Sequence, residues 1–522
     1  MTTTPPGGAP GAAPPAPAGP PRPPAPPAPH RRPGPAPRRD QADRSGAGRL
    51  RTFVRGRWLR TIPGRIGIHA VLCLAAIVAL LAMLTVAIGN ARDSVQTIGH
   101  DAGPQVVATG TLYFALSDMD AQVSNILLIG RDHDLGIGHD ESLRLYERRR
   151  AEADAAAVEA AQLAGSDPAL RRTVQEVLDG LGRYERLVGR AMELDAQADH
   201  APGELPREVI DAYRQATDLM KLQLLPKAYN ITLDTGAHVR QDYETNRSAV
   251  LTGRTWVAVT GTVVLLLLIA TQLYLARTFR RVLNPALVLA TLATLALTAV
   301  GTGLLTAQAG HIRKAKEDGF DSILQLSRAR AISHSAFADE SRYLLDPGRA
   351  DTYEQTYLDK SLSVIQPDMG DKPVNLANYY AGLEEKLGAY RAGGDDVPFL
   401  GFFGDEARTV EPGREADALQ RTLQAYRVVQ RNDARMRELA SSGDRAGAVD
   451  LRMGRTSDAI SDFGAYDAAL TALTAVHQDA FDDAIRDADG GLRGWNAVPA
   501  AGAAAIALLL LAGIRPRLAE FR

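Results

Sequence analysis

The chain has 522 residues, nearly balanced charge (59 Lys and Arg against 61 Asp and Glu) and a single cysteine, Cys73. One cysteine excludes an intramolecular disulfide, and no Cys/His spacing of the kind that holds a metal occurs. The near-neutral total excludes a chain drawn onto nucleic acid by its bulk charge.

Residues 5–37 contain sixteen prolines interspersed with alanine and glycine. A tail of that composition (1–62) is expected to be disordered, extended and polyproline-like, because it has little to bury. It serves either as a spacer or as a docking strip for a cytoplasmic protein, through proline-rich recognition or through His30-Arg31-Arg32 and Arg38-Arg39.

Four apolar stretches of 20 to 23 residues follow, Ile66–Ile88, Trp256–Leu275, Ala286–Leu305 and Trp495–Ile514, none with Asp, Glu, Lys or Arg. Each is long enough to cross a hydrocarbon core about 30 Å thick. The predicted transmembrane helices occupy 63–89, 254–276, 285–307 and 493–514. They enclose polar regions at 90–253 and 308–492, a short loop at 277–284 and a tail at 515–522. The first stretch is too long for a signal-peptide core, and Gly89-Asn90-Ala91 is a poor cleavage site, so it is expected to remain as a span.

Charge predicts the orientation. Residues 1–65 carry twelve arginines against Asp40 and Asp43. The loop holds Arg277, Arg280 and Arg281, and the tail holds Arg515, Arg517 and Arg522 against Glu520. Positive segments stay inside, so both termini are expected in the cytoplasm and both polar regions outside a cell membrane. Anionic membrane lipids account for the arginines nearest the first span. The polar regions are acidic, with 26 acids against 17 bases in 91–250 and 32 against 22 in 308–492. Nucleic-acid partners are thereby disfavoured, whereas a basic or zwitterionic ligand or a protein partner remains compatible.

Within 91–250, Leu112, Leu116, Met119, Val123, Ile126 and Gly130 recur at three- and four-residue steps, the rhythm of a packed helix. Gly130 ends it. A second helix covers Glu141–Leu163 and breaks at Gly165-Ser166-Asp167-Pro168. Asp167 caps a third helix with Pro168 at its first position, running to Asp195. Pro202-Gly203 breaks the chain again before a long helix from Pro206, bent at Pro226. Four helices with short links predict an up-down four-helix bundle.

Region 308–492 is expected to repeat this plan. Helical patterning after Ile312 stops at Leu344-Leu345-Asp346-Pro347-Gly348, and further helices are predicted at Thr352–Ile365, Asn375–Gly388, Arg414–Ser441 and Asp444–Asp489. Phe463, Leu470, Leu473 and Phe481 form the buried face of the last. Gly393–Gly404 is the least helical part, with Val397-Pro398-Phe399-Leu400 expected to be exposed. The predicted fold class is an all-α membrane protein whose four transmembrane helices carry two extracytoplasmic up-down four-helix bundles, by internal duplication.

Candidate site residues are few. Asp118, Gln122 and Asn125 share one helix face, with Ser335, Asp339 and Arg342 as counterparts in the second region. Such a face is expected to be solvated beside a packed seam; the functional alternative is a ligand or partner surface. His334 nearby is a candidate for titration near neutrality, but a lone histidine is expected to be ordinary. In the spans, Thr291, Thr294, Thr298 and Thr302 form a stripe beside Gly301, and the fourth span offers Gly502. Small residues of this kind permit close helix packing. There is no glycine-rich phosphate loop, nucleophile elbow or HExxH pair, so no enzyme activity, catalytic residue, cofactor or metal is expected.

The stretch Leu116–Gly130 (LSDMDAQVSNILLIG) resembles the first helix of four-helix-bundle sensor domains in chemoreceptors and actinobacterial sensory proteins. So does the pattern from Gly443-Asp444 to Asp482, with Phe463, Asp467 and Phe481. Two such bundles on four spans behind a Pro/Arg-rich tail are similar to the GlnX-type actinobacterial membrane sensors, over residues 60–522. That resemblance implies amino-acid sensing through an extracytoplasmic glutamine/glutamate/aspartate-binding lipoprotein, with a cytoplasmic serine/threonine kinase (protein kinase G) as receiver. It transfers no ligand residues. Related domains pair across a two-fold axis, so the expectation is either a homodimer or one chain supplying both halves. The expected function is a non-enzymatic transmembrane sensor or adaptor. The alternatives are an envelope scaffold and, third, a transporter, which the uncharged spans disfavour.

Overall fold

The structure is a computed structural model describing residues 62–163, 167–279, 284–394, 396–453 and 458–519. The N-terminal tail, Gly165, Ser166, Arg280, Arg281 and residues 520–522 lie outside the described residues, and with them the expectations placed there.

The described chain is almost wholly helical, and four helical runs are long and apolar enough to cross a membrane: Gly64–Ile129, Arg207–Thr278, Pro285–Leu345 and Val498–Pro516. The first three, of 66, 72 and 61 residues, are roughly 90–110 Å long at 1.5 Å per residue. Each therefore carries a span and a helix of the adjoining polar region on one axis. The first run comprises α1 (Ile62–Val95), a π-turn at Gln96–Ala102 and α2 (Gly103–Ile129). After it come α3 (His139–Leu163) and α4 (Pro168–Gln197). The second run is α5 (Arg207–Leu219), a π-turn at Met220–Leu224 and α6 (Leu225–Phe279). The third is α7 (Pro285–Lys314), a π-turn at Ala315–Phe320 and α8 (Asp321–Leu345).

Local chemistry explains these limits. Gly130 ends α2 in the left-handed region (φ 58°), where a Cβ would be strained. The Asp167 carboxylate accepts the N–H groups of Ala169 (2.8 Å) and Leu170 (3.2 Å), capping α4 ahead of Pro168. Pro226 has no N–H to give the preceding turn, and the chain widens there into a π-turn rather than breaking: the Leu225 N–H reaches back to the Met220 carbonyl. Helix α6 then runs unbroken to Phe279.

The second polar region is more elaborate than four helices. After a 3₁₀ turn at Pro347–Arg349 come α9 (Ala350–Val364), α10 (Leu376–Ala389), α11 (Phe402–Thr409), α12 (Arg414–Ser441), α13 (Arg445–Met453) and α14 (Asp458–Leu492). Two short antiparallel strands, β1 (Gln366–Pro367) and β2 (Phe399–Leu400), pin the irregular segment to the end of α9. The expected exposure of this segment is corrected in part. Leu400 is exposed, but Phe399 is fully buried, edge-on to Tyr390 at 5.0 Å in the aromatic core with Tyr379, Phe403 and Tyr426. Phe463, Leu470, Leu473 and Phe481 of α14 are buried, as their spacing predicts.

In the apolar layer α1 packs on α6, α6 on α7, α7 on α15 (Val498–Ala519), and α15 closes on α1. Thr298 meets Gly261, where any Cβ would fall 2.3 Å from its hydroxyl oxygen, so the two backbones approach closely only because residue 261 is glycine. Gly301 faces Leu84, and Gly502 faces Leu297. Gln272 donates to the Thr291 hydroxyl (2.7 Å), while Thr294 and Thr302 bond back to their own helix at Ala290 and Thr298. Val71, Val78, Leu266, Leu292 and Leu508 point outward, as lipid-facing positions do.

Candidate functional site

The two polar regions meet along α2 and α8, each continuous with a span. Gly110 lies against Ser327, Asp118 against His334 and Asn125 against Ser341, separations of 217, 216 and 216 residues. A separation that stays within one residue means that the two helices run parallel and in register. The π-turns beneath them, at Gln96–Ala102 and Ala315–Phe320, recur at a similar offset. A run of span, π-turn and helix thus occurs twice, and the two helices pair within a single chain.

The face shared by Asp118, Gln122 and Asn125 is not solvated: their exposures are 3%, 8% and 4%. What covers it is α8 with α3 and α13. Ser335, Asp339 and Arg342 are buried as well. Polar side chains so placed must find partners, and here they find one another.

At one level five groups alternate in charge. The guanidinium of Arg149 donates to Asp118 (2.6 Å), and Asp118 also contacts His334 Nδ1 (3.0 Å). His334 Nε2 contacts Asp467 (2.9 Å), which Arg330 grips through two bonds of 2.6 Å. The His334 ring stands edge-on between Phe114 (4.9 Å) and Phe463 (4.8 Å), and the Arg330 guanidinium lies 3.9 Å over Phe114. Burial opposes charge on the imidazole, but the Asp118 and Asp467 carboxylates outweigh it and raise the His334 pKa to about 9. Burial likewise opposes charge on Asp118, and His334 and Arg149 nonetheless hold it well below the usual carboxylate range. His334 is therefore not an ordinary histidine; it bridges both regions.

One turn further along, Arg342 donates to Asp120, to Asp339 (2.6 Å) and to the Tyr213 hydroxyl (3.1 Å), while the Tyr184 hydroxyl donates to Asp120 (2.9 Å). Lys221, from the π-turn of the first region, reaches Asp339 (2.9 Å), and Lys360 of α9 bonds both Asp339 and the Ser335 hydroxyl (2.7 Å). Burial works against the Asp339 charge, yet Lys360, Lys221 and Arg342 keep it ionised far below its ordinary pKa. Burial brings Lys360 down to about 8. Beyond this level the Asn125 carbonyl oxygen accepts from Ser341 (3.1 Å) and Arg452 (3.3 Å), and Arg452 pairs with Glu340. Nearer the rim, Arg214 clamps Asp346 through bonds of 2.8 and 2.7 Å.

Beside His334, on the span side, α2, α8 and α14 leave a cleft of about 300 Å³ lined by Thr111, Phe114, Ser327, Arg330, Thr474 and Gln478. Its volume suits a small molecule, and Arg330, held by Asp467, forms part of its wall. Arg149, Lys221, Arg330 and Lys360 join this network without any warning in their local sequence. Asp467 alone had a signal, through its place in the sensor-domain pattern.

A family described as the actinobacterial sensor domain matches residues 94–244, from the end of α1 into α6. No curated protein and no solved structure matches the chain.

Proposed function

We propose that this chain is a non-enzymatic transmembrane sensor or adaptor whose two polar regions, extracytoplasmic bundles in this account, convert an external binding event into displacement of the spans. The observation that carries it is the in-register pairing of α2 and α8 through buried charge, each helix continuous with a span. Packed ionic layers of this kind resist small deformations and shift between discrete arrangements. A ligand or partner favouring one arrangement would move both helices and the spans beneath them. The sensor-domain match over residues 94–244 supports signalling. The resemblance to GlnX-type sensors supports the finer assignment: amino-acid availability, read through a glutamine/glutamate/aspartate-binding lipoprotein outside and passed to a serine/threonine kinase inside.

An envelope scaffold without sensing is favoured by one observation, the density of buried ion pairs that lock the two regions. Cys73 separates the two accounts because its Sγ lies 3.6 Å from the Thr271 hydroxyl oxygen, between α1 and α6. With Thr271→Cys, oxidative cross-linking to the native thiol reports the spacing of these spans in membranes. A sensor shows a cross-linking rate that changes when amino-acid-loaded binding protein is added. A rate indifferent to it, together with co-purification of neither a binding protein nor a kinase, favours the scaffold.

A further inference from the structure

Glu406 of α11, Glu415 of α12 and His477 of α14 come together at the span-proximal end of the second polar region, their ligand atoms all within 4.8 Å of one another. His477 Nε2 lies 2.5 Å from Glu406 Oε1 and 3.7 Å from Glu415 Oε1. The other ring nitrogen, Nδ1, is 2.7 Å from the Asp318 carbonyl and so carries a proton. An imidazole fixed through one nitrogen by a backbone carbonyl, with the other aimed at carboxylates, has the set-up of a metal ligand. The Glu411 N–H holds Glu415 Oε2 at 3.3 Å and leaves Oε1 to the cluster.

A second observation points to a missing occupant. Glu406 is only 1% exposed, and its Oε2 is buried with no hydrogen-bond partner. A proton on His477 Nε2 satisfies Oε1 and leaves Oε2 bare, in a place where an unmatched carboxylate oxygen is strongly disfavoured. A cation seated among the three side chains meets both needs.

We propose that Glu406, Glu415 and His477 form a binding site for one divalent transition-metal ion. One imidazole nitrogen with carboxylate oxygens suits zinc or manganese; calcium prefers an all-oxygen shell and copper(I) prefers sulfur. The ion takes the place of the proton between His477 and Glu406, which leaves to solvent as the metal enters. The Glu415 side chain is 20% exposed, so that side admits the ion and leaves room for a water ligand. Bound there, the metal ties α11 and α12 to α14. Through the Asp318 carbonyl it also reaches the π-turn that joins α7 to α8.

The test uses the full chain in detergent, without an oligohistidine tag, stripped with chelator and dialysed against zinc or manganese chloride. Elemental analysis is expected to find one ion per chain in the native protein and none at this site in His477→Gln, with a metal-dependent rise in melting temperature lost in the variant. If folded His477→Gln retains as much metal as the native chain, the cluster is an ion pair and the proposal falls. Should His477→Gln fail to fold, the rim variant Glu415→Gln decides. About tenfold or greater loss of affinity upholds the site, and unchanged affinity overturns it.

Discussion

His334 concentrates the pH behaviour of the interface. Asp118 with Arg149 faces it from the first region, and Asp467 with Arg330 faces it from α14 and its own helix. Its pKa is raised in the folded state, from 6.5 to about 9, so its stabilisation is fully present below about pH 6.5 and fades as pH rises through about 9. At about 1.4 kcal/mol per pH unit, the upper bound is roughly 3 kcal/mol. The native protein is therefore expected to lose more melting temperature between pH 6.5 and 9.5 than His334→Gln does; parallel losses would remove His334 from that role. Arg342 offers a sharper test. Arg342→Met leaves Asp120 and Asp339 buried without their shared guanidinium, a loss of about 3–5 kcal/mol, expected as a large fall in denaturation midpoint. Adding Asp120→Asn should recover part of it, because the coupled pair is removed together. Sequence spacing places Asp118, Gln122 and Asn125 on one face. Nothing local shows that the face is covered, because its cover lies 216 residues away. The same reason hides the Glu406–His477 contact, whose partners are 71 residues apart.

At the scale of elements, the π-turns are the parts to watch. Each of the two beneath α2 and α8 carries a glycine pressed on α14: a Cβ on Gly99 would fall 2.7 Å from Ile485, and one on Gly319 would fall 2.7 Å from the Phe481 Cβ. Helix α14 thus lies against both junctions between span and polar region. Gly319→Val is expected to force α14 away at a cost of about 1–3 kcal/mol, whereas Gly310→Val, with open space around it, should melt like the native chain. Equal effects would deny the junction its close packing. Spans, caps and stops were largely legible, since apolar length, Asp167-Pro168 and Gly130 act locally. The π-turns were not, because widening one helical turn changes neither composition nor period. Nor was the β1–β2 pair: two-residue strands have no alternating pattern, and Phe399 is buried by distant aromatics rather than by its flanks.

Considered whole, the described molecule joins its two polar regions within one chain, through α2 and α8 packed side by side above their spans. The proposed sensor requires its polar regions outside the cell, so a maleimide that does not cross membranes is expected to label Val374→Cys, on an exposed loop of the second region, in intact cells. Labelling only after lysis would reverse the topology. The most direct test of the central claim is a disulfide between α2 and α8. Ser327 Cβ lies 3.3 Å from where a Cβ on Gly110 would sit, close to disulfide spacing. In a Cys73→Ser background, Gly110→Cys with Ser327→Cys is expected to oxidise readily in native membranes. The protein should stay monomeric on a non-reducing gel and yield the linked 110–327 peptide by mass spectrometry. If the pair stays reduced, or links only separate chains, the two regions do not pair as described and the account of signalling through α2 and α8 is wrong.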